Sequence, residues 1–141
     1  MFVKATTYAI KAMCFLALQP DQEGWVSLVT IASGIHTPIA YTAKVLQRLR
    51  KAHLVTSLNG PKGGFRLPLD RRINLKEIVV AIEGVGLFEQ CGLGLERCSS
   101  ESPCPIHPDY EGLKVDLNRI LIETYVDELT WDLVSKKIGF E

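Results

Sequence analysis

The chain has no run approaching the roughly 20 consecutive apolar residues that a membrane-spanning helix requires, so no bilayer span is expected. Its start, Met-Phe-Val-Lys-Ala-Thr, lacks the charged region and small-residue cleavage site of a secretory signal. Together these absences point to a cytoplasmic protein. No Cys-x-x-Cys pair occurs, which removes the usual thiol-oxidoreductase motif, and no acid–base pair presents itself, so an enzyme is not expected. A glycine-rich stretch at 60–64 lacks the Gly-Lys-Ser/Thr ending of a phosphate-cradling loop. No internal repeat or low-complexity tract is visible. What remains is a 141-residue chain of domain size, 47% hydrophobic and 23% charged, close to soluble globular averages. In a reducing compartment its four cysteines are expected to be free, metal-bound or redox-active rather than a disulfide framework.

Sixteen basic and sixteen acidic side chains cancel, which taken alone argues against a polyanionic partner. Their distribution argues the reverse. Residues 1–72 hold ten Lys/Arg against three Asp/Glu, and residues 73–141 hold six against thirteen. A basic first half and an acidic second half suggest that the first half meets a polyanion.

Apolar positions Ala5, Tyr8, Ala9, Ala12, Phe15 and Leu16 share one face of a helix over 5–18, which Pro20 stops. Ser27 can cap a short helix bearing Leu28, Ile31 and Ala32, with Gly34 closing it. Thr37-Pro38 reads as the cap and first residue of a helix running to about Lys51. Its inner face is Thr42, Val45, Leu46 and Leu49; its outer face is Tyr41, Lys44, Arg48 and Lys51. Helix, glycine-containing turn and helix form a helix-turn-helix signature. A hairpin follows, with Leu54–Leu58 and Phe65–Leu67 as strands around the turn-rich Asn59-Gly60-Pro61-Lys62-Gly63-Gly64. That order is a winged helix, whose second helix enters the major groove of double-stranded DNA while the hairpin reaches the backbone or minor groove.

A short helix is expected over 75–82, ending at Gly84, then a loop over 84–108. Loops longer than about 12–15 residues in compact domains are usually functional or disordered. A helix of about twenty residues should start at Asp109 as cap, with Tyr110, Leu113, Leu117, Ile120, Leu121 and Thr124 on one stripe, followed by a short helix Trp131–Lys137 capped by Thr130. A second copy of the chain is the natural cover for that stripe, and a two-fold dimer matches a palindromic site. The fold class is mainly α with a small β-hairpin wing: a winged helix-turn-helix over 1–74, a short helix and cysteine-rich loop over 75–108, and a dimerisation helix with a short C-terminal helix over 109–141.

Cys91, Cys98 and Cys104, with His107, stand on the Gly/Pro-rich loop. Three thiolates and an imidazole can converge on one metal centre, and thiolates select zinc, copper(I) or iron–sulfur. Structural zinc usually shows cysteines two to four residues apart, so the wider gaps favour an iron–sulfur cluster. Zinc, a thiol switch and inert cysteines remain the alternatives. Cys14, between Met13 and Phe15, reads as core. His36 and His53 receive no role.

The sequence resembles the Rrf-type (IscR/NsrR-like) family of winged-helix transcriptional regulators. The matching residues are Tyr8-Ala9-Ile10-Lys11-Ala12-Met13, Tyr41, Leu46-Gln47-Arg48-Leu49-Arg50-Lys51, Leu54-Val55, the wing Gly60-Pro61-Lys62-Gly63-Gly64-Phe65, and the three-cysteine loop before a long helix. The resemblance implies a homodimeric DNA-binding regulator with cluster ligands at Cys91, Cys98 and Cys104. Members with a histidine placed as His107 is imply a 2Fe–2S cluster. Members holding a 4Fe–4S cluster use an acidic ligand from the first helix of the partner, where this chain has Thr7. The smaller cluster is therefore favoured. Six residues separate Cys91 from Cys98 where the histidine-bearing members have five. Some members carry no cluster and sense other signals.

Lys44, Arg48, Lys51, Lys62 and Arg66 are the candidate phosphate contacts, and Thr37 and Tyr41 the candidate base contacts. Asn59 and Lys62 are candidates for the minor groove, with Gly60, Gly63 and Gly64 letting the wing approach closely. Arg50 and Arg66 can instead pair with acidic groups inside the protein. Loss of a cluster to oxidant, nitric oxide or iron shortage would free the loop and alter operator affinity. The rival readings are a cluster-free regulator responding to thiol state or a small molecule, and a zinc-stabilised module.

Overall fold

The computed structural model describes residues 2–135. Its helices are α1 (Lys4–Ala17), α2 (Leu28–Gly34), α3 (Ile39–Lys51), α4 (Leu75–Glu83), α5 (Gly86–Glu89), α6 (His107–Glu123) and α7 (Val126–Ser135), and its hairpin pairs β1 (Thr56–Leu58) with β2 (Gly64–Arg66). Among the described residues no helix is long and apolar enough to cross a membrane.

α1 is the central strut, packed on by α2, α3, α4 and α7. This is why Met13 and Cys14 are buried beside the expected Ala9, Ala12 and Leu16. A one-face periodicity underestimates burial on a helix covered from several sides. The inner face of α3 is buried at Thr42, Val45, Leu46 and Leu49, as its spacing requires. Cys14 is fully buried, and desolvation raises its thiol pKa.

Ser27 caps α2 as expected, its hydroxyl accepting from the Thr30 amide. Two neighbouring cap and end assignments, at Gly34 and Thr37, are revised. Gly34 is the last residue of α2. The helix does end there, but not through a left-handed glycine: a side chain at Gly34 would sit 2.1 Å from the Phe15 ring, so glycine permits close approach of α1 and α2. The left-handed closing residue is His36 (φ 56°), with Thr37 N–H bonding Ala32 O and His36 N–H bonding Ser33 O. His53 (φ 60°) closes α3 likewise, through Leu54 to Leu49 and His53 to Arg50. Nor does Thr37 cap α3. Pro38 is the extended N-cap residue and makes no side-chain cap. Thr42 Oγ1 donates to Pro38 O, so the 2.6 Å contact between hydroxyls is donated by Thr37. Because left-handed backbone costs a non-glycine residue about 1–2 kcal/mol, His53→Gly is expected to raise stability by up to about 1 kcal/mol in urea unfolding. A loss of stability would show that the imidazole makes a compensating contact.

Leu54 and Val55 are buried core residues ahead of β1 rather than strand residues. The hairpin register pairs Thr56 with Arg66, Ser57 with Phe65 and Leu58 with Gly64. Val26 adds a two-bond bridge to Phe65. α4 opens with a full capping box, Asn74 and Glu77 bonding each other's amides.

The loop expected over 84–108 contains the single turn α5, and α6 begins at His107 with Pro108 in its first turn. Asp109 is therefore a first-turn acid rather than the cap. The last helix starts at Val126, not Trp131, and Thr130 sits buried within it, its hydroxyl donating to Val126 O. Lys136 and Lys137, at the expected end of that helix, lie outside the described residues. α7 packs back on α1, and the bonds Leu75 N–H to Thr124 O and Val126 N–H to Ile73 O bind its start to the start of α4. Arg72 supports this joint by bonding Asp127 and Glu128 and stacking 4.1 Å from the Tyr125 ring centroid.

α6 buries Lys114 and Leu121 against its own chain but leaves apolar side chains exposed on both flanks. Leu113 (56% exposed) and Ile120 (49%) lie on one flank; Val115 (65%) and Ile122 (39%) lie on the other. The first pair belongs to the expected stripe. The second escaped it because it stands among the charged residues Asp116, Arg119 and Glu123.

Candidate nucleic-acid interface and thiol cluster

The outer face of α3 presents Tyr41, Lys44, Arg48 and Lys51 to solvent, lining one groove with Ala5 and Gln47. Gln47 also lines a second groove, between α3 and the wing, with Arg50, Asn59 and Gly60. The two grooves therefore adjoin, so the helix face and the wing present one continuous surface. Among the described residues Arg50 pairs with no carboxylate: its Nε donates to Gln47 Oε1 at 3.2 Å. Nor does Arg66. Its guanidinium stacks 4.1 Å from the Trp25 ring centroid and donates to Glu23 O, so it fastens the wing to the loop before α2. Thr37 is half-buried with its hydroxyl proton spent on Thr42, leaving it only as an acceptor.

At the wing tip Asn59, Gly60 and Lys62 are exposed. Gly60 (φ 105°) faces open space. Gly63 and Gly64 serve the protein's own packing: a side chain would fall 1.9 Å from Leu58 O at the first and 2.2 Å from Val26 O at the second. Sequence reasoning missed the extension of this surface onto α1. Tyr8 packs edge-on against Tyr41 with centroids 5.2 Å apart, and Lys4 and Lys11 stand 5.6 and 6.0 Å from the Tyr8 ring. The spacing Lys4, Tyr8, Lys11 on one helix face carried that signal.

The thiols of Cys91, Cys98 and Cys104 lie within 4.8 Å of one another. Cys91 Sγ is 3.7 Å from Cys104 Sγ, and Cys98 Sγ is 3.2 Å from His107 Nδ1. Two metal–sulfur bonds of about 2.3 Å at a tetrahedral angle put their sulfurs about 3.8 Å apart. The donor set therefore fits a metal ion or small cluster in spacing and in chemistry. The local backbone supports it: Leu93 N–H donates to Cys91 Sγ and Cys104 N–H to Cys98 Sγ, both at 3.4 Å. Amides of Leu95 and Leu93 lower the Cys91 thiol to about 7. The Cys104 amide pulls Cys98 the same way, but burial and the thiols of Cys104 and Cys91 outweigh it and push Cys98 up.

The thiols and His107 line a cleft of about 240 Å³ with Glu111 and Lys114, which sequence reading did not select. The segment leading into the loop is tied to the basic surface. Glu83 accepts from Thr6 Oγ1 at 2.7 Å and from Val3 N–H, and Arg48 Nη1 donates to Ile82 O at 3.2 Å.

The chain matches the family model Rrf2, described as an iron-dependent transcriptional regulator, over residues 2–132. The HTH-type transcriptional regulator IscR of Xenorhabdus nematophila is 32% identical over 123 residues, covering 86% of this chain and 74% of the relative. A solved structure of T. potens IscR shares 26% identity with a TM-score of 0.73, covering 99% of this chain and 92% of that one. CymR (YrzC), the global cysteine regulator of B. subtilis, has a similar fold at a TM-score of 0.73 and 24% identity, covering 92% and 95% of the two chains.

Proposed function

The chain belongs to the Rrf2 family of winged-helix transcriptional regulators, and on that premise we propose that it is a dimeric DNA-binding regulator whose operator affinity is gated by an iron–sulfur cluster at Cys91, Cys98, Cys104 and His107. The observation that carries this reading is the convergence of three thiols within 4.8 Å of one another with an imidazole 3.2 Å from one of them. The preference for a 2Fe–2S centre rests on the fourth donor, His107, whose Nδ1 stands 3.2 Å from Cys98 Sγ.

Residues 1–74 form the DNA module. Lys44, Arg48, Lys51 and Lys62 neutralise phosphates, while Tyr41 reads bases in the major groove and Asn59 and Lys62 enter the minor groove. Each neutralised phosphate releases counterions, so binding weakens with salt. Lys62→Ala is expected to weaken binding to all sequences and flatten the salt slope by roughly one. An unchanged slope in a salt titration would remove Lys62 from the contacts. The helix starting at His107 pairs two copies, giving the two-fold arrangement a palindromic operator requires.

Residues 75–108 carry the sensor loop. A bound cluster supplies one-electron chemistry and a point of attack for oxidant or nitric oxide. The ligands on the loop and His107 fasten the loop to the first turn of α6. The end of α4, just upstream, holds Arg48 and the start of α1. Ordering the loop therefore biases how the two DNA modules sit relative to each other. The bias equals the difference in affinity of the cluster for the two arrangements.

The test is the spectrum of protein purified without oxygen, with metal and sulfide counted per chain. About two iron and two sulfide per chain, with visible absorption, are expected. Zinc in place of iron would assign a structural metal instead. A second reading, a cluster-free thiol sensor, is favoured by the 3.7 Å gap between Cys91 and Cys104 and the lowered Cys91 thiol. It predicts colourless protein whose DNA affinity changes on thiol oxidation.

A further inference from the structure

We infer that Lys114 is the charge-compensating residue of the thiol site, a buried cation that favours the more negative state of the cluster. The inference rests on the cluster reading above. Lys114 is 8% exposed, and lysine is almost never buried without a partner. Its Nζ lies 2.5 Å from Glu111 Oε1, 3.4 Å from Gln90 O and 5.6 Å from the Tyr110 ring centroid. The Gln90 contact docks the ammonium on the backbone one residue before Cys91. Lys114 also lines the same cleft as the three thiols and His107.

Placing a cation there costs desolvation, which a single carboxylate near the surface offsets only in part. Glu111 is the exposed partner, with its side chain 46% accessible against 10% for Lys114. Its carboxyl is held below the usual range by Lys114. Glu111 and Glu89 also line the cleft, so without Lys114 the thiols would share it with two uncompensated carboxylates, and a lower effective dielectric makes that difference felt more strongly than in water. The donor groups there are three sulfurs that must be thiolates to bind metal. Three thiolates and a neutral imidazole around a doubly positive core leave a net negative charge, and one added electron deepens it. A fixed cation stabilises the reduced state more than the oxidised state, so Lys114 raises the potential.

The test is an anaerobic redox titration of the full-length protein, with dithionite donating one electron per cluster, after iron has been counted. Lys114→Gln is expected to shift the one-electron equilibrium about tenfold towards the oxidised state, equal to about 59 mV. Lys114→Arg, which keeps the charge, is expected to stay within about threefold of the parent. Lys114→Met, of similar length and uncharged, repeats the measurement should the glutamine variant fail to fold, as judged by thermal melting. Unchanged potentials in the iron-loaded uncharged variants would overturn the assignment while leaving the cluster reading intact. An arginine variant shifted as far as glutamine would also overturn it. Parent protein without iron would overturn both.

Discussion

Replacing Leu113 and Ile120 together by glutamate is expected to turn the dimer into a monomer and weaken operator binding by roughly 10²–10⁴-fold, the advantage that two linked modules hold over one. Both side chains are about half exposed on the 17-residue α6, on a flank that no other part of the described chain covers. Apolar patches of this kind mark association surfaces. Four like charges brought together across a two-fold axis, two from each copy, oppose pairing directly. Neither residue belongs to the buried core, so each DNA module should keep its fold and its weak, salt-dependent affinity. Sedimentation and operator titration read the two effects separately. A variant that stays dimeric would move the interface to the other flank, at Val115 and Ile122.

The second large effect is expected at Cys98. Cys98→Ala removes the sulfur that approaches His107 Nδ1 and accepts the Cys104 amide, so it takes away a ligand and the loop's internal tie together. Iron retained per chain is expected to fall to roughly a tenth or less, given that altering even the outer partners of a metal site commonly costs 10–100-fold in affinity. Cys14→Ala offers the contrast. Cys14 is fully buried on α1, so this variant should lose some stability and keep its iron. Full iron loading in the Cys98 variant would leave the three-thiol site without its proposed role.

Much of this was legible from spacing. The stripe on α3 fixed which residues go inward and which outward, because a helix with one buried side must repeat its apolar positions every three to four residues. The wing followed from its glycines, although two of them accommodate Leu58 and Val26 rather than a ligand. Local cap rules misled at Thr37 and Thr130. A threonine that can cap a helix can equally bond one turn back within it, and the choice is made by packing. His36 and His53 were unreadable as helix-closing residues because glycine or asparagine usually fills that left-handed position. Lys114 was hidden for a similar reason. A lysine on an amphipathic helix reads as solvent-facing, and only the fold shows the cleft beneath it. Bringing together thiols with six and five residues between them needed the chain path itself, with α5 and the first turn of α6 closing the loop.

The central claim is that the thiol site speaks to the DNA surface. The measurement that tests it most directly is the affinity of the dimer for its operator, taken with the site loaded and then stripped of metal, at one salt concentration. The two affinities should differ by tenfold or more, about 1.4 kcal/mol of coupling or above. Equal affinities for the loaded and stripped protein would contradict the account.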